Sequence, residues 1–426
     1  MASEREPLQR RTNWAGDITY DAARLLPPRS VEEAQTMVRA SRRLRPLGSG
    51  HTFNRIADSD GDQITLGAFP RRTELDSTGL TVTVDGGQGY GYLCGRLDAG
   101  GFALHNLASL AHISIVGACA TGSHGSGQRN GMLATAVERV ELIGGDGEVR
   151  TFARDDERFP GVATSLGALG VVTALTLRVQ PTFEIAQYVD EDLPIDDALN
   201  GLDEILGSAY SVSLFIEWDR PVIDQVWRKV RIGEDDEARP ATLARARPAD
   251  RDLHPIRELS PENCTPQLGV PGPWHERLPH FRLDHTPSVG EEFQSEYFVA
   301  RPDGPAALDA LLAIRHRIQP AILVSEIRAI AADDLWLSPA YQRDSIAFHF
   351  TWRQQPDEVD AALGAVERAL RPFAARPHWG KRFVMAPDEL AALYDALPRF
   401  VGLANTLDAH GVFRNAFLET YVFGAD

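Results

Sequence analysis

Two loops of glycine and small hydroxyl residues constrain this chain more than any other feature: "RPLGSGHTFN" at residues 45–54 and "SIVGACATGSHGSG" at 114–127. Backbone without Cβ atoms, flanked by serines and threonines, exposes its N–H groups, and such groups in a tight turn can seat an anion such as a pyrophosphate. Either loop could also be a tight turn and nothing more. Two of them in one domain suit a long ligand with two ends. The first opens like a dinucleotide fingerprint, but Phe53 stands where a third glycine would let a helix pack closely, which disfavours an ordinary Rossmann site.

Each loop carries a histidine, His51 and His124. No third ligand lies at a metal-binding spacing, so no metal is expected. A neutral imidazole can bond to an electrophilic carbon, and a glycine turn would aim His51 at the edge of whatever the loop holds. The alternative is a hydrogen-bonded loop histidine.

The surrounding pattern is α+β. Ser30 and Glu33 stand at capping-box spacing before an apolar stripe of Val31, Ala34, Met37 and Val38, which predicts a helix. "DQITLGAF" and "LTVTVDGG" read as strands, "YGYLCGRLDAGG" as a helix stopped by Gly100 and Gly101, and "ERVELIGGDGEVRTF" as a hairpin. A long strand in "GVVTALTLRVQP" closes at Pro181, and the character changes near residue 185. Beyond it come paired strands, "SVSLFIEW" and "QVWRKVRI", then the helix "PAALDALLAIRHRI" and the strands "VSEIRAI" and "SIAFHFTW". At 426 residues there is room for two domains with their own cores.

Composition excludes several functions. A net charge of −17 repels polyanions, so nucleic acid is not an expected partner. No run of about 18 apolar residues offers a membrane span, and the polar start "MASEREPLQRRTNW" lacks the apolar core of a secretory signal, which points to the cytoplasm. Cys94, Cys119 and Cys264 are too widely spaced for a disulfide framework or a zinc pattern. Among 43 basic residues only Lys229 and Lys381 are lysines, so a lysine here asks for a specific explanation.

Strand periodicity supplies a candidate site. In "SIAFHFTW" Ala347, His349 and Thr351 share one face, while Phe348, Phe350 and Trp352 share the other, which belongs to a core. In "SEIRAI" Glu326 and Arg328 project together. If the two strands are neighbours, an acceptor, a planar cation, an imidazole and a hydroxyl line one patch, suited to a substrate rich in hydroxyls. A solvent-facing sheet with an ordinary ion pair is the alternative. Lys381, in "RPHWGKRF", is either a surface charge or a titratable amine. Asn415, in "GVFRNAF", is set to bond backbone or cofactor.

The segments "NWAG", "GSGHTFN", "ASLAHISIVGACATGSHGSG", "SLGALGVVTALTL", "NCTPQLGVPGPWHERLPHFR", "EIR", "HFTW", "RPHWGK" and "FRNAF" follow one another in an order that resembles the vanillyl-alcohol-oxidase type of flavoprotein, and within it the sugar-alcohol and aldonolactone oxidases. The resemblance implies a two-domain FAD-binding fold of the vanillyl-alcohol-oxidase and p-cresol methylhydroxylase type: an FAD domain over residues 1–185, an antiparallel-sheet cap for substrate over 186–375, and a C-terminal return over 376–426. It implies FAD joined covalently to His51. Leu47, Gly48, Ser49, Gly50 and Thr52 of the first loop would hold it with Ser109, Ser114, Gly117, Thr121, Gly122, His124, Gly170, Val172, His378 and Asn415. Glu326, Arg328, His349, Thr351 and Lys381, with Ser109, would meet the substrate. The implied reaction takes a hydride from the terminal carbon of a polyol and reduces O2 to hydrogen peroxide. Lys381, with its pKa lowered beside Arg328, is expected as the base or its electrostatic support. A lactone oxidase or a dehydrogenase of the same fold, or a flavin-binding protein without turnover, are the alternatives. A monomer is expected.

Overall fold

The computed structural model describes residues 11–235, 238–283 and 291–424. Its first helix, Val31–Ala40, starts where the capping signal lies: Ser30 Oγ accepts from Glu33 N at 3.3 Å, and the Glu33 carboxylate accepts from Arg29 N at 2.8 Å. Ala34 and Val38 are the buried turns of its stripe. The chain then forms Leu44–Pro46, which pairs in parallel with Asp62–Ile64 as Arg24–Leu26 does from the other side. The first glycine loop leaves the end of that short strand.

A five-stranded antiparallel sheet follows, in the order Thr73–Asp76, Thr81–Asp85, Val171–Arg178, Val137–Ile143, Val149–Ala153. The helices Tyr90–Ala99 and Ile115–Ala120 pack on it, and their Leu93, Leu97 and Ile115 share a core with Val140 and Leu175. Trp379, Tyr394, Phe400 and Leu418 complete that same core, so the C-terminal segment returns to the N-terminal half. Arg45, 2% exposed, ties the two together: its guanidinium donates to the carbonyls of Ile56, Leu166, Gly167 and Phe413 at 2.7–3.1 Å.

Every strand from Glu184 to Pro377 joins one antiparallel sheet of nine. Five of its central strands matter below: β1 (Ser211–Ile216), β2 (Val222–Arg231), β3 (Glu292–Ala300), β4 (Ile322–Ile330) and β5 (Ser345–Arg353), lying in the order β2, β1, β4, β5, β3. Phe348, Phe350 and Trp352 enter the apolar core on one face, covered by the helices Ile195–Leu206, Gly304–Ala313 and Pro356–Leu370. Phe350 and Trp352 stack at 5.1 Å. Burying three such rings fixes the register, because a slip of one residue would turn all of them outward. The segment read as one helix, "PAALDALLAIRHRI", breaks at Ile314 into Gly304–Ala313 and Arg315–Ile318. No helix among the described residues is long and apolar enough to cross a membrane.

Candidate active site

A cavity of about 630 Å³ runs between the two glycine loops and the other face of the nine-stranded sheet. The loops interlock: Ser114 N donates to Ser49 Oγ at 3.1 Å and Ser49 N donates to Ser114 Oγ at 3.3 Å. A Cβ on Gly48 would lie 2.2 Å from Ser114 Oγ. Gly170, at φ +153°, would place one 2.3 Å from the Ile143 carbonyl. The first loop thus packs on the second, and the turn at Gly170 on the strand behind it, as closely as only glycine permits, which holds both loops in the wall of one cavity.

Leu47, Gly48, Ser49, Gly50, His51, Thr52, Ser109, Ser114, Gly117, Thr121, His124, Gly170, Val172 and His378 all line this cavity, as do Glu326, Arg328, His349, Thr351 and Lys381. Gly122 and Asn415, expected with them, do not. Gly122, at φ +75°, turns the chain away after the Ile115–Ala120 helix. Asn415 Nδ2 donates to the carbonyls of Arg55, Ile56 and Asp58, and its Oδ1 accepts from Leu418 N as a helix cap, so its polar atoms are spent on the protein.

His51 stacks on Trp14 at 5.0 Å between ring centres. Its Nδ1 lies 3.2 Å from the Ser49 carbonyl and its Nε2 lies 3.2 Å from His112 Nε2. A carbonyl only accepts, so Nδ1 carries the proton and Nε2 keeps its lone pair. Burial, helped by His112, pushes this imidazole down to about 4, so it is neutral at physiological pH.

On the sheet, β4 and β5 are neighbours, with Glu326 directly opposite His349; β3 lies beyond, with Glu296 opposite His349 and Gln294 opposite Thr351. Glu296, wholly buried, is the hub. Its carboxylate accepts from Arg328 Nη2 and from Lys381 Nζ, both at 2.6 Å, and lies 3.2 Å from His124 Nε2. Lys381 Nζ also lies 2.8 Å from His349 Nδ1, and His349 Nε2 lies 3.1 Å from Thr351 Oγ1. Glu326 accepts from His280 Nε2 at 2.8 Å and stands 3.6 Å from Arg328 Nε. Arg328 Nε is buried, 3.6 Å from Glu326 Oε2, and finds no hydrogen-bond partner among the described residues.

Burial alone would raise both carboxylates. Lys381, His124 and Arg328 outweigh it at Glu296, and Arg328 and His280 outweigh it at Glu326, so both stay well below the usual carboxylate range. Burial lowers Lys381, against the opposing pull of Glu296 and with the help of Arg328. With Lys381 as the ammonium two carboxylates and two cations balance, while burial holds His349 and His378 well below the usual imidazole range. Such a site can take a neutral ligand that brings many hydroxyls, with one amine poised to exchange a proton.

Sequence reasoning missed Glu296, His280 and His112. "EFQSEYF" carries Glu292, Gln294 and Glu296 at the same period of two that exposed the other strands, and this was the signal available for Glu296. His112 sits inside the quoted "ASLAHIS" segment. His280 comes from a loop, and nothing in its spacing announces it.

Residues 22–153 match the FAD binding domain and residues 289–421 match the D-arabinono-1,4-lactone oxidase family. The chain is 46% identical over 422 residues to an alditol oxidase of a Streptomyces species, covering 97% of this chain and 99% of that one. It is 28% identical to an L-gulono-1,4-lactone dehydrogenase of Mycobacterium tuberculosis, over 95% and 97% of the two chains. It is 27% identical to the L-gulonolactone oxidase of Bos taurus, over 96% and 97%. Among solved structures the cholesterol oxidase of B. sterolicum superposes with a TM-score of 0.78 at 15% identity, covering 97% and 96% of the chains, a likeness of fold.

Proposed function

The chain belongs to the vanillyl-alcohol-oxidase type of FAD-linked oxidases, in the branch of the alditol oxidases, and from that premise we propose how its residues oxidise a polyol. It is an FAD-dependent oxidoreductase that converts the terminal carbinol of an alditol to the aldehyde of an aldose. The chemistry supplied by bound FAD is acceptance of a hydride from that carbon and delivery of the electron pair to O2 as hydrogen peroxide.

The chain's own residues bind, orient and deprotonate. The glycine loops around Ser49 and Ser114 would hold the cofactor's phosphates, and His51, neutral in this setting, would form the covalent bond to it through a ring nitrogen. Glu326, Arg328, His349 and Thr351 would read the hydroxyl pattern and fix which carbon reacts. Lys381 Nζ takes the hydroxyl proton: burial makes the free amine accessible, and Glu296 at 2.6 Å stabilises the ammonium that results. Arg328, a cation in the cavity wall, would stabilise negative charge developing on the substrate oxygen. One observation carries this reading: the glycine cradle and the polar face of β4, β5 and β3 border the same cavity.

The test is anaerobic mixing of the yellow protein with xylitol, sorbitol and gulonolactone. Bleaching by the alditols at lower concentration than by the lactone is expected; bleaching by the lactone alone would move the chain to the lactone oxidases. Acid-precipitated, washed wild-type protein is expected to stay yellow, and the His51→Ala pellet to be colourless. Colour lost equally from both pellets would remove the covalent bond.

A further inference from the structure

Lys229 is the one lysine that the oxidation does not use. It stands on β2, 1% exposed, and among the described residues no carboxylate lies within ion-pair distance of it. Its Nζ donates to the carbonyls of Arg277 at 2.9 Å, Leu278 at 2.6 Å and Pro279 at 3.0 Å, and lies 3.2 Å from His280 Nδ1. Burying a cation without a counter-ion is costly, and burial pushes this one down to about 7. A core position with no further task would be filled by an apolar side chain.

The task can be read from hydrogen-bond logic. An ammonium has no lone pair, so the ring nitrogen that faces it must be the bare one. The proton of neutral His280 then sits on Nε2, 2.8 Å from Glu326 Oε1, and an ionised carboxylate can only accept it. A second proton on Nδ1 would set an imidazolium against the ammonium. The ring cannot easily turn away, because Phe215 and Trp227 pack edge-on against it at 5.4 Å. The charged groups that act on His280 are Lys229 from β2 and Glu326 and Arg328 from β4, while Cys264 lies near Lys229.

We propose that Lys229 is a positioning residue for substrate recognition. It pins the segment 277–280 and keeps His280 neutral with its proton on Nε2. His280 thereby occupies one oxygen of Glu326 and leaves the other as a charged acceptor for a substrate hydroxyl. This rests on the polyol reading above. Burial is the first cause that keeps His280 neutral and Lys229 the second; without Lys229 the pull of Glu326 is opposed by burial and Arg328 alone, so the ring gains a proton more readily as the pH falls, pairs with Glu326 as an ion and weakens that acceptor.

Anaerobic flavin reduction by xylitol, titrated at several pH values, tests it. In the wild type the half-saturating xylitol concentration should be flat from about pH 5 to about pH 6, inside the histidine range and below the value of about 7 to which burial brings Lys229. In Lys229→Met it should rise roughly tenfold toward the acid end, the size of one lost charge-assisted contact, while the limiting rate of reduction changes little. The double variant Lys229→Met, His280→Gln should be flat again, because an amide does not titrate. A flat profile in the single variant, or an acid limb that survives in the double one, overturns the proposal. Should Lys229→Met fail to fold, ¹⁵N-histidine spectra of the wild-type holoenzyme decide, with the His280 signals assigned by their loss in His280→Gln. Neutral His280 with Nδ1 bare over that pH range is expected, and an Nδ1–H tautomer or an imidazolium overturns the assignment. These spectra need no substrate, so a failure of the polyol reading, seen as no bleaching of the wild type, stays separate.

Discussion

Flavin reduction by xylitol is expected to slow by roughly a hundred- to ten-thousandfold when Lys381 is replaced by methionine, the range over which a positioned proton acceptor contributes. Methionine keeps the length of the stem and removes the amine, so the cavity wall stays filled while the proton loses its acceptor. The measurement is single-turnover reduction in an anaerobic stopped flow, which reads the chemical step before oxygen enters. Unchanged reduction would show that the hydroxyl proton leaves by another route and would reduce Lys381 to a counter-ion of Glu296. A fall in the limiting rate with little change in half-saturation is the signature of a group that acts in the transition state alone.

Glu296→Ala should have the largest effect on the folded state. Removing one partner of a buried ion pair typically costs about 3–5 kcal/mol, and here Arg328, Lys381 and His124 all face the same carboxylate. Glu296→Gln keeps the shape and one acceptor and should cost less. The pH dependence has a definite sign. Glu296 and Glu326 titrate below the usual carboxylate range when folded, so between their folded and unfolded pKa values the unfolded chain binds more protons. Their contribution is complete above about pH 4.5, the ordinary glutamate range, and is lost as the pH falls through it. Thermal unfolding followed from pH 7 to pH 3 should therefore show a steeper loss of Tm in the wild type than in Glu296→Gln. Parallel curves would mean that Glu296 is not held as an ion.

How far the sequence could be read follows from what each signal depends on. Glu326, Arg328, His349 and Thr351 were legible because a strand has a period of two and an aromatic face, Phe348, Phe350 and Trp352, to set its inside. That β4 and β5 are neighbours was a condition, and the register Glu326 opposite His349 meets it. Glu296 shares the period but stands in "EEFQSEYF", whose acidic residues read equally well as a solvent edge; only the tertiary packing of Arg328 and Lys381 around it makes it a hub. Gly122 was drawn in with the loop that carries it, since a motif's neighbours in sequence need not follow it around a turn, and Asn415, read as a partner of backbone or cofactor, bonds backbone. The partners of Lys229 are backbone carbonyls of a loop, which have no sequence signature at all. Its rarity marked it, and geometry alone explains it.

That rarity also decides how the protein meets amine-directed reagents. Lys229 is sealed in the sheet, and the Lys381 side chain, 15% exposed, lines the cavity. The α-amino group aside, a small acylating reagent therefore finds no lysine on the outer surface, so incorporated label counts active sites, and a polyol in the cavity competes with the reagent for the same amine.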